Sequence, residues 1–107
     1  MKEISIFELK RLLDKNHPIQ LIDVREEWEH REFNIGGLLI PMNTVIHHLD
    51  KLDLSKQIIF YCRSGNRSGI VANMLEKNYG LIDLYNLQGG MLEWEHHFKK
   101  NYQYINE

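Results

Sequence analysis

The chain is poor in the residues that staple or anchor a protein: its 107 positions include one cysteine and two prolines. A single cysteine excludes an internal disulfide and a zinc site of the paired CxxC type. Near its start the chain also lacks any apolar run longer than two or three residues, which is too short for a secretory leader or a spanning helix. We therefore expect a cytoplasmic protein with no membrane association.

Charge of one sign is equally scarce, since 13 basic residues face 15 acidic ones without a long run of either. This balance excludes the basic footprint of a nucleic-acid binder and the polybasic anchor of a peripheral membrane protein. The length and the 43% apolar content fit one compact domain spanning residues 1–107 that folds without a metal or a cofactor. Small molecules or proteins remain as the expected partners.

What the chain does contain is an alternation of short β-rich runs with helical periodicity. Helices are typical of the segments between the runs, where apolar residues recur three or four positions apart. The predicted strands lie in the first few residues and at 19–24, 38–40, 57–61 and 81–85, and the predicted helices at 5–17, 26–32, 44–49, 68–77 and from 91 onward. Such alternation predicts an α/β fold in which a parallel sheet lies between two layers of helices.

The lone cysteine directly follows the fourth predicted strand, at the sheet edge where ligands bind in such folds. It opens the segment Cys62-Arg63-Ser64-Gly65-Asn66-Arg67-Ser68. A following helix N-terminus and nearby guanidinium groups both stabilise a thiolate, and Gly65 lets successive backbone N–H groups turn toward one spot. A free cysteine is usually just a small buried apolar residue, but the polar, basic and glycine-containing hexad favours a reactive thiol here.

Four motifs in order along the chain resemble the rhodanese-like domain family in its single-domain bacterial sulfurtransferase form. They are residues 22–26 (IDVRE), 35–41 (IGGLLIP), the segment 62–68 and residues 87–94 (LQGGMLEW). The chain departs from the family's pattern at Phe33-Asn34, where Gly-His is common, and at Gly36, where proline is usual. The resemblance implies a three-layer α/β/α fold with a five-stranded parallel sheet.

The resemblance also implies transfer of a sulfane sulfur through a cysteine persulfide on Cys62. A thiolate attacks the outer sulfur of an anionic donor such as thiosulfate, and a thiol, cyanide or the cysteine of a sulfur-relay protein then accepts the atom. We expect the N–H groups from Arg63 to Ser68 to hold the persulfide, and Arg63 and Arg67 to bind the donor's sulfonate. The physiological donor, the acceptor and the oligomeric state stay open at this point.

Two other functions share the same sheet and loop position. Related phosphatases and arsenate reductases separate a cysteine and an arginine by five residues, whereas four lie between Cys62 and Arg67. A cradle one residue shorter suits a single sulfur atom better than a tetrahedral oxyanion, and the loop offers no aspartic general acid. A docking module or a relay carrier of the same fold is the other alternative.

Asp23 and Arg25 end the second predicted strand, beside the expected position of the Cys62 segment. We expect them to form an ion pair that fixes the base of the loop. The alternative is that Asp23 orients a loop arginine or that Arg25 contributes to the donor site.

The remaining conspicuous side chains predict packing rather than chemistry. The pairs His47-His48 and His96-His97 lack ligands at metal-binding spacing, so no metal site is expected. Trp28 and Trp94 lie at helical positions and are expected in core or interface packing. The tail from Asn101 to Glu107 is expected to pack on the sheet or to fray.

Overall fold

A computed structural model describes residues 1–98 of the chain. The C-terminal tail considered above lies outside the described residues. In chain order the elements are β1 (Lys2–Ile4), α1 (Ile6–Asp14), β2 (Ile19–Asp23), α2 (Glu27–Glu32), β3 (Leu38–Leu39), two 3₁₀ helices (Met42–His47 and Leu49–Lys51), β4 (Gln57–Tyr61), α3 (Asn66–Tyr79), β5 (Leu84–Leu87) and α4 (Gly90–Phe98).

The five strands form one parallel sheet in the order β1-β5-β4-β2-β3, which confirms the predicted fold class. Alternate side chains of the central strand enter different cores. Ile58 and Phe60 pack under α3 and the 3₁₀ segment, whereas Ile59 and Tyr61 pack under α1 and α4. Because β4 is covered on both faces, its carboxyl end is the natural place for a buried reactive group.

Local sequence signals account for the starts of α1 and α3. Ser5 caps α1 through a reciprocal pair of bonds with Glu8, as the spacing predicts. The short helix predicted to end at Leu49 is instead two 3₁₀ turns. Helix α3 begins at Asn66, two residues before its predicted start, because Gly65 adopts a left-handed conformation with φ of 100° and allows the turn directly from the loop.

The fifth strand is predicted at residues 81–85, and these bounds are wrong, because the observed strand shares only residues 84 and 85 with them. Strand β5 begins only at Leu84 and continues to Leu87. Asp83 has a positive φ of 62°, which interrupts an extended strand, and Ile82 is 82% exposed rather than covered. Leu81 and Ile82 therefore lie in the loop that leads into β5.

Candidate active site

Cys62 is the first residue after β4 and is fully buried between the sheet and α3. Two backbone N–H groups converge on its Sγ atom, from Gly65 at 3.1 Å and from Ser68 at 3.3 Å. The Ser68 Oγ atom lies 3.2 Å from the same sulfur. Ser68 lies in the first turn of α3, where N–H groups have no partner within the helix and remain free to point at the thiol. Hydrogen bonds to sulfur and the positive end of a 14-residue helix both favour its anionic form.

The loop is held from its far side by the start of α4. The N–H groups of Met91 and Leu92 each donate, at 2.9 Å, to the carbonyl groups of Cys62 and Arg63. Gly90 permits this approach, because a Cβ atom there would lie 2.5 Å from the Cys62 carbonyl oxygen and 2.6 Å from that of Arg63. The Gly89-Gly90 turn therefore lets the start of α4 position the backbone of Cys62.

Arg67 is committed to a protein carboxylate. Its guanidinium donates to both oxygens of Glu29 on α2, at 2.8 and 3.0 Å. These hydrogen bonds lower the pKa of Glu29 from 4.5 to about 2 despite partial burial, and they raise the pKa of Arg67. The expectation that Arg67 binds the donor sulfonate stays a prediction, and such binding would have to compete with this bidentate pair.

The other polar residues of the loop, Arg63, Ser64 and Asn66, are all exposed. Asn66 donates its N–H to the Ser64 hydroxyl at 3.4 Å. Arg63 has no ion-pair partner among the described residues. It is therefore the loop arginine open to an incoming anion.

Asp23 and Arg25 form a buried ion pair beside the loop. The Arg25 guanidinium donates to Asp23 at 2.8 to 3.1 Å and to the Phe33 carbonyl oxygen at 2.7 Å. Burial would lower the pKa of Arg25, but the hydrogen bonds and the charge of Asp23 outweigh it and raise the pKa. His30 places Nδ1 2.8 Å from Asp23 Oδ2. The arrangement agrees with an ion pair that fixes local geometry, and the partner that orients Arg67 is Glu29, not Asp23.

The departure from the family's pattern after α2 has a structural counterpart. Asn34 accepts the N–H of Gly36 at 2.8 Å and donates to the His30 carbonyl oxygen at 2.9 Å. Gly36 has φ of 99°, which proline with its fixed negative φ cannot adopt. The turn at Gly36 therefore has a backbone conformation that a proline at this position could not adopt. The Tyr61 hydroxyl anchors the turn by donating to the Gly36 carbonyl oxygen at 2.9 Å.

A cleft of about 230 Å³ lies between α2 and α4 next to the loop. It includes Arg63 at the loop and the carboxylates of Glu32 and Glu95, which have no ion-pair partner among the described residues. Trp28 also lines it and is 64% exposed, so it lies outside the core and interface packing stays a prediction for it, whereas Trp94 is fully buried in the core. The entrance beside Cys62 is thus mixed in charge and partly apolar.

Sequence reasoning missed three residues that shape the site: Glu29, Asn86 and Gly90. Glu29 has a local signal, because it also accepts the Glu26 N–H in a capping box, but nothing local reveals a partner 38 positions away. Asn86 is buried in β5 and contacts Ser68. Gly90 belongs to a motif whose contact with Cys62 depends on the tertiary structure.

Residues 5–97 match the rhodanese-like domain family. The chain is 36% identical to YtwF of Bacillus subtilis over 96 residues, which are 89% of this chain and 91% of that protein. It is 32% identical to the thiosulfate sulfurtransferase GlpE of Coxiella burnetii over 97 residues, covering 90% of this chain and 89% of GlpE. Its fold is similar to the crystal structure of a rhodanese-like domain protein from Staphylococcus aureus, with a TM-score of 0.81, 32% identity and full coverage of both chains.

Proposed function

The chain belongs to the rhodanese-like domain family, and from this premise we propose that it moves a sulfane sulfur from an anionic donor such as thiosulfate to a thiol or to cyanide through a Cys62 persulfide. One observation carries the proposal: the only thiol lies under the converging N–H groups of Gly65 and Ser68 at the start of α3. The site needs no general base, because the attacking group is the thiolate itself.

Two displacements at sulfur complete the reaction. The Cys62 thiolate bonds to the outer sulfur of thiosulfate while the sulfur–sulfur bond of the donor breaks, and sulfite leaves with the bonding pair. The negative charge then lies on the outer sulfur of the persulfide, where loop N–H groups can stabilise it. Cyanide or a thiolate next bonds to that sulfur, thiocyanate or a new persulfide leaves, and the Cys62 thiolate is regenerated.

Arg63 is our candidate for guiding the donor to the sulfur. Its guanidinium is exposed at the loop and unpaired among the described residues, so it can meet the sulfonate bidentately. Ser64 and Asn66 border the same opening. The cytoplasm keeps free thiols reduced, and the single unpaired cysteine supports that location.

The pairing of Arg67 argues against the phosphatase alternative. Phosphoryl transfer needs an arginine that clasps the phosphate oxygens, and the Arg67 fork is already filled by Glu29. The spacing of four residues between Cys62 and Arg67, one fewer than in the related phosphatases, also argues against phosphoryl transfer. Hydrolysis of an aryl phosphate at a rate comparable with sulfur transfer would reverse this assignment.

The proposal is tested by thiocyanate formation from thiosulfate and cyanide. Wild type should turn over, and Cys62→Ser should lose activity by at least about a thousandfold because serine is not a thiolate. Intact mass after mixing with thiosulfate alone should rise by about 32 Da in wild type and stay unchanged in the variant. Ser55→Ala is the matched control, because it removes an exposed hydroxyl outside the Cys62 loop and leaves the nucleophile in place.

Equal turnover by Cys62→Ser and wild type would overturn the proposal. So would an unmodified mass in wild type with every sulfane donor tried. A circular dichroism spectrum and a denaturation midpoint for each variant show that lost turnover comes from lost chemistry rather than from unfolding.

A second candidate, sulfur relay with a protein thiol, is favoured by the cleft between α2 and α4. Exposed Trp28 and the carboxylates of Glu32 and Glu95, which form no ion pair within residues 1–98, complement a segment that carries apolar and basic side chains. A small inorganic dianion gains nothing from these groups. The cysteine of such a segment would then receive or deliver sulfur at Cys62.

Two synthetic cysteine peptides discriminate this candidate from a free enzyme. One carries lysine and leucine around its cysteine, and the other carries glutamate and leucine. A relay surface predicts faster sulfur transfer from persulfidated protein to the basic peptide, with a preference that declines as salt increases. Equal transfer to both peptides would remove the relay candidate and leave the chemistry at Cys62 intact.

A further inference from the structure

The Ser68 hydroxyl lies between two groups that compete for one proton. Its Oγ atom is 3.2 Å from Cys62 Sγ and 2.5 Å from Asn86 Oδ1. Ser68 and Asn86 are both buried. Because a hydroxyl donates a single hydrogen bond, it serves either the sulfur or the amide oxygen at any moment.

The orientation of the Asn86 amide is determined by its other neighbours. Its Nδ2 atom lies 3.1 Å from the Gly65 carbonyl oxygen and 3.2 and 3.3 Å from the carboxylate oxygens of Glu3. All of these are acceptors, so the NH₂ group must face them and the amide oxygen must face Ser68. Asn86 therefore always presents an acceptor to the hydroxyl.

This fixed acceptor gives the site two hydrogen-bond patterns. In the first, the Ser68 proton goes to Asn86, and the lone pairs of Oγ accept the S–H proton of a neutral thiol. In the second, the sulfur is a thiolate, and the hydroxyl must rotate to donate to it and give up Asn86. Ionisation of Cys62 thus costs the Ser68–Asn86 hydrogen bond.

We propose that Asn86 is a positioning residue that restrains the nucleophile. While Cys62 is a neutral thiol, the Asn86 amide oxygen accepts the Ser68 hydroxyl proton and so keeps that proton turned away from sulfur. When the sulfur becomes anionic, the hydroxyl leaves Asn86 and donates to the sulfur. Asn86 acts only through Ser68. The inference rests on the proposed function, because it concerns the same sulfur, yet it concerns the ionisation of that sulfur and not the identity of the donor.

Charged groups from several elements face this arrangement and must stay constant in any test. Arg67, in the first turn of α3, interacts with the charge of Cys62 and is itself held by Glu29 of α2. Glu3 of β1 contacts Asn86, and Arg63 follows the cysteine in the loop. Replacing Asn86 or Ser68 by a neutral residue leaves all four charges in place.

Alkylation of Cys62 by iodoacetamide tests the inference without any sulfur donor. Cys62 is the only thiol in the chain, so the rate between about pH 5 and 10 reports its thiolate directly. Asn86→Leu should move the midpoint of this profile to lower pH and raise the rate on the acid side up to about tenfold, because the freed hydroxyl donates to the thiolate. Asn86→Asp keeps an acceptor beside Ser68 and adds charge, so its midpoint should move to higher pH.

The background variant Ser68→Ala decides whether Asn86 acts through the hydroxyl. In that background Asn86→Leu should no longer move the midpoint, since there is no proton to redirect. Asn73→Leu, at an exposed position of α3, is the control and should leave the profile unchanged.

Three results would overturn the inference. They are a shift of the same sign in Asn86→Leu and Asn86→Asp, an Asn86→Leu shift that persists with Ser68→Ala, and no shift in either variant. If Asn86→Leu does not fold, Asn86→Ala takes its place, because it also removes the acceptor beside Ser68 and adds no charge. Thiocyanate formation by wild type is measured in parallel, so that absence of sulfur transfer contradicts the proposed function and not the role of Asn86.

Discussion

Two neighbouring strand ends of the sheet carry polar groups and use them in opposite ways. At the end of β2, Asp23 bonds to both Arg25 and His30, and Arg25 also bonds to the Phe33 carbonyl oxygen. At the end of β4, N–H groups from the loop and from α3 converge on the sulfur of Cys62. A thiol accepts hydrogen bonds only weakly, so those donors stabilise an anionic sulfur far better than the neutral one.

The difference teaches which buried polar groups are free to do chemistry. Charges that satisfy each other within hydrogen-bond distance hold geometry, because a further ligand would have to break an existing pair. Hydrogen-bond donors that point at one reactive atom stabilise that atom most when it becomes charged during the reaction. We therefore expect substitutions at the end of β2 to lower stability and substitutions at the end of β4 to lower turnover.

Asp23→Asn should give the largest loss of stability. It leaves the buried Arg25 guanidinium without its counter-charge, and we expect the free energy of unfolding to fall by about 3 kcal/mol. Urea denaturation followed by the fluorescence of buried Trp94 measures the loss. Turnover per folded molecule should stay within a few-fold of wild type.

The exposed Asp50 provides the control, since Asp50→Asn removes no buried partner and should change little. If Asp23→Asn kept full stability but lost sulfur transfer, the two strand ends would not differ in the way described. Asp23 would then belong to the catalytic apparatus.

Gly90→Ala should lower both stability and turnover, because it acts on the backbone of the cysteine itself. A Cβ atom at this position meets the carbonyl oxygens of Cys62 and Arg63 and forces α4 and the loop apart. We expect a cost of about 2 to 3 kcal/mol and at least a tenfold loss of thiocyanate formation.

Gly80→Ala separates the clash from backbone strain. Gly80 has φ of 65°, close to the 58° of Gly90, but no atom lies within 4 Å of its Cβ position. It should cost about 1 kcal/mol and leave turnover unchanged. Equal losses in the two variants would mean that the contact between α4 and the loop does not matter.

How much of this comparison the sequence could predict depends on the range of the contacts. Cys62, Gly65 and Ser68 lie within seven positions, so the thiol, the turn and the helix start could be inferred together. The run at 81–82 looked like a strand, because periodicity cannot detect the left-handed turn at Asp83 or the exposure of Ile82. The local sequence pattern identifies an apolar run, but it does not show which residues of the run pair with a neighbouring strand.

The contacts that tune the site join residues far apart in sequence. The loop arginines looked equivalent, yet Glu29 pairs with Arg67 and leaves Arg63 open. Asn86 reaches Ser68 only because β5 lies beside β4 in the sheet. Without an alignment or a structure, no spacing rule connects such pairs.

Arg63→Ala should weaken donor binding while leaving the fold intact. Loss of the open guanidinium is expected to raise KM for thiosulfate about tenfold, with a smaller change in kcat. The variant should also lose most of the salt dependence of kcat/KM, because that dependence reflects attraction of the dianion. Steady-state kinetics at two ionic strengths measure both effects.

Arg31→Ala is the matched control for Arg63→Ala, since it removes an exposed arginine from α2. An unchanged KM in Arg63→Ala would contradict the assignment of Arg63 to the donor. A raised KM in both variants would point to the overall charge of the protein instead.

Glu29→Gln should have the smallest effect, and that effect should depend on pH. The folded-state pKa of Glu29 is about 2, below its ordinary value of 4.5, because Arg67 bonds to the carboxylate. A depressed pKa means that the carboxylate stabilises the fold fully above about pH 4.5 and that this contribution is lost as pH falls toward 2. Because Arg67 is one-third exposed and screened by water, we expect about 1 kcal/mol between wild type and variant at neutral pH.

The measurement is a pair of urea denaturation series, for wild type and Glu29→Gln, from neutral pH to the lowest pH at which both fold. The difference between them should be constant down to about pH 4.5 and then shrink, because wild type alone takes up a proton at this position. Glu27→Gln removes the exposed pair with Arg31 on the same helix and should give no resolvable difference at any pH. If the difference in unfolding free energy between wild type and Glu29→Gln grew toward acid pH, the pairing with Arg67 would be contradicted. The pairing requires the difference to shrink, because only wild type has a carboxylate that loses its charge.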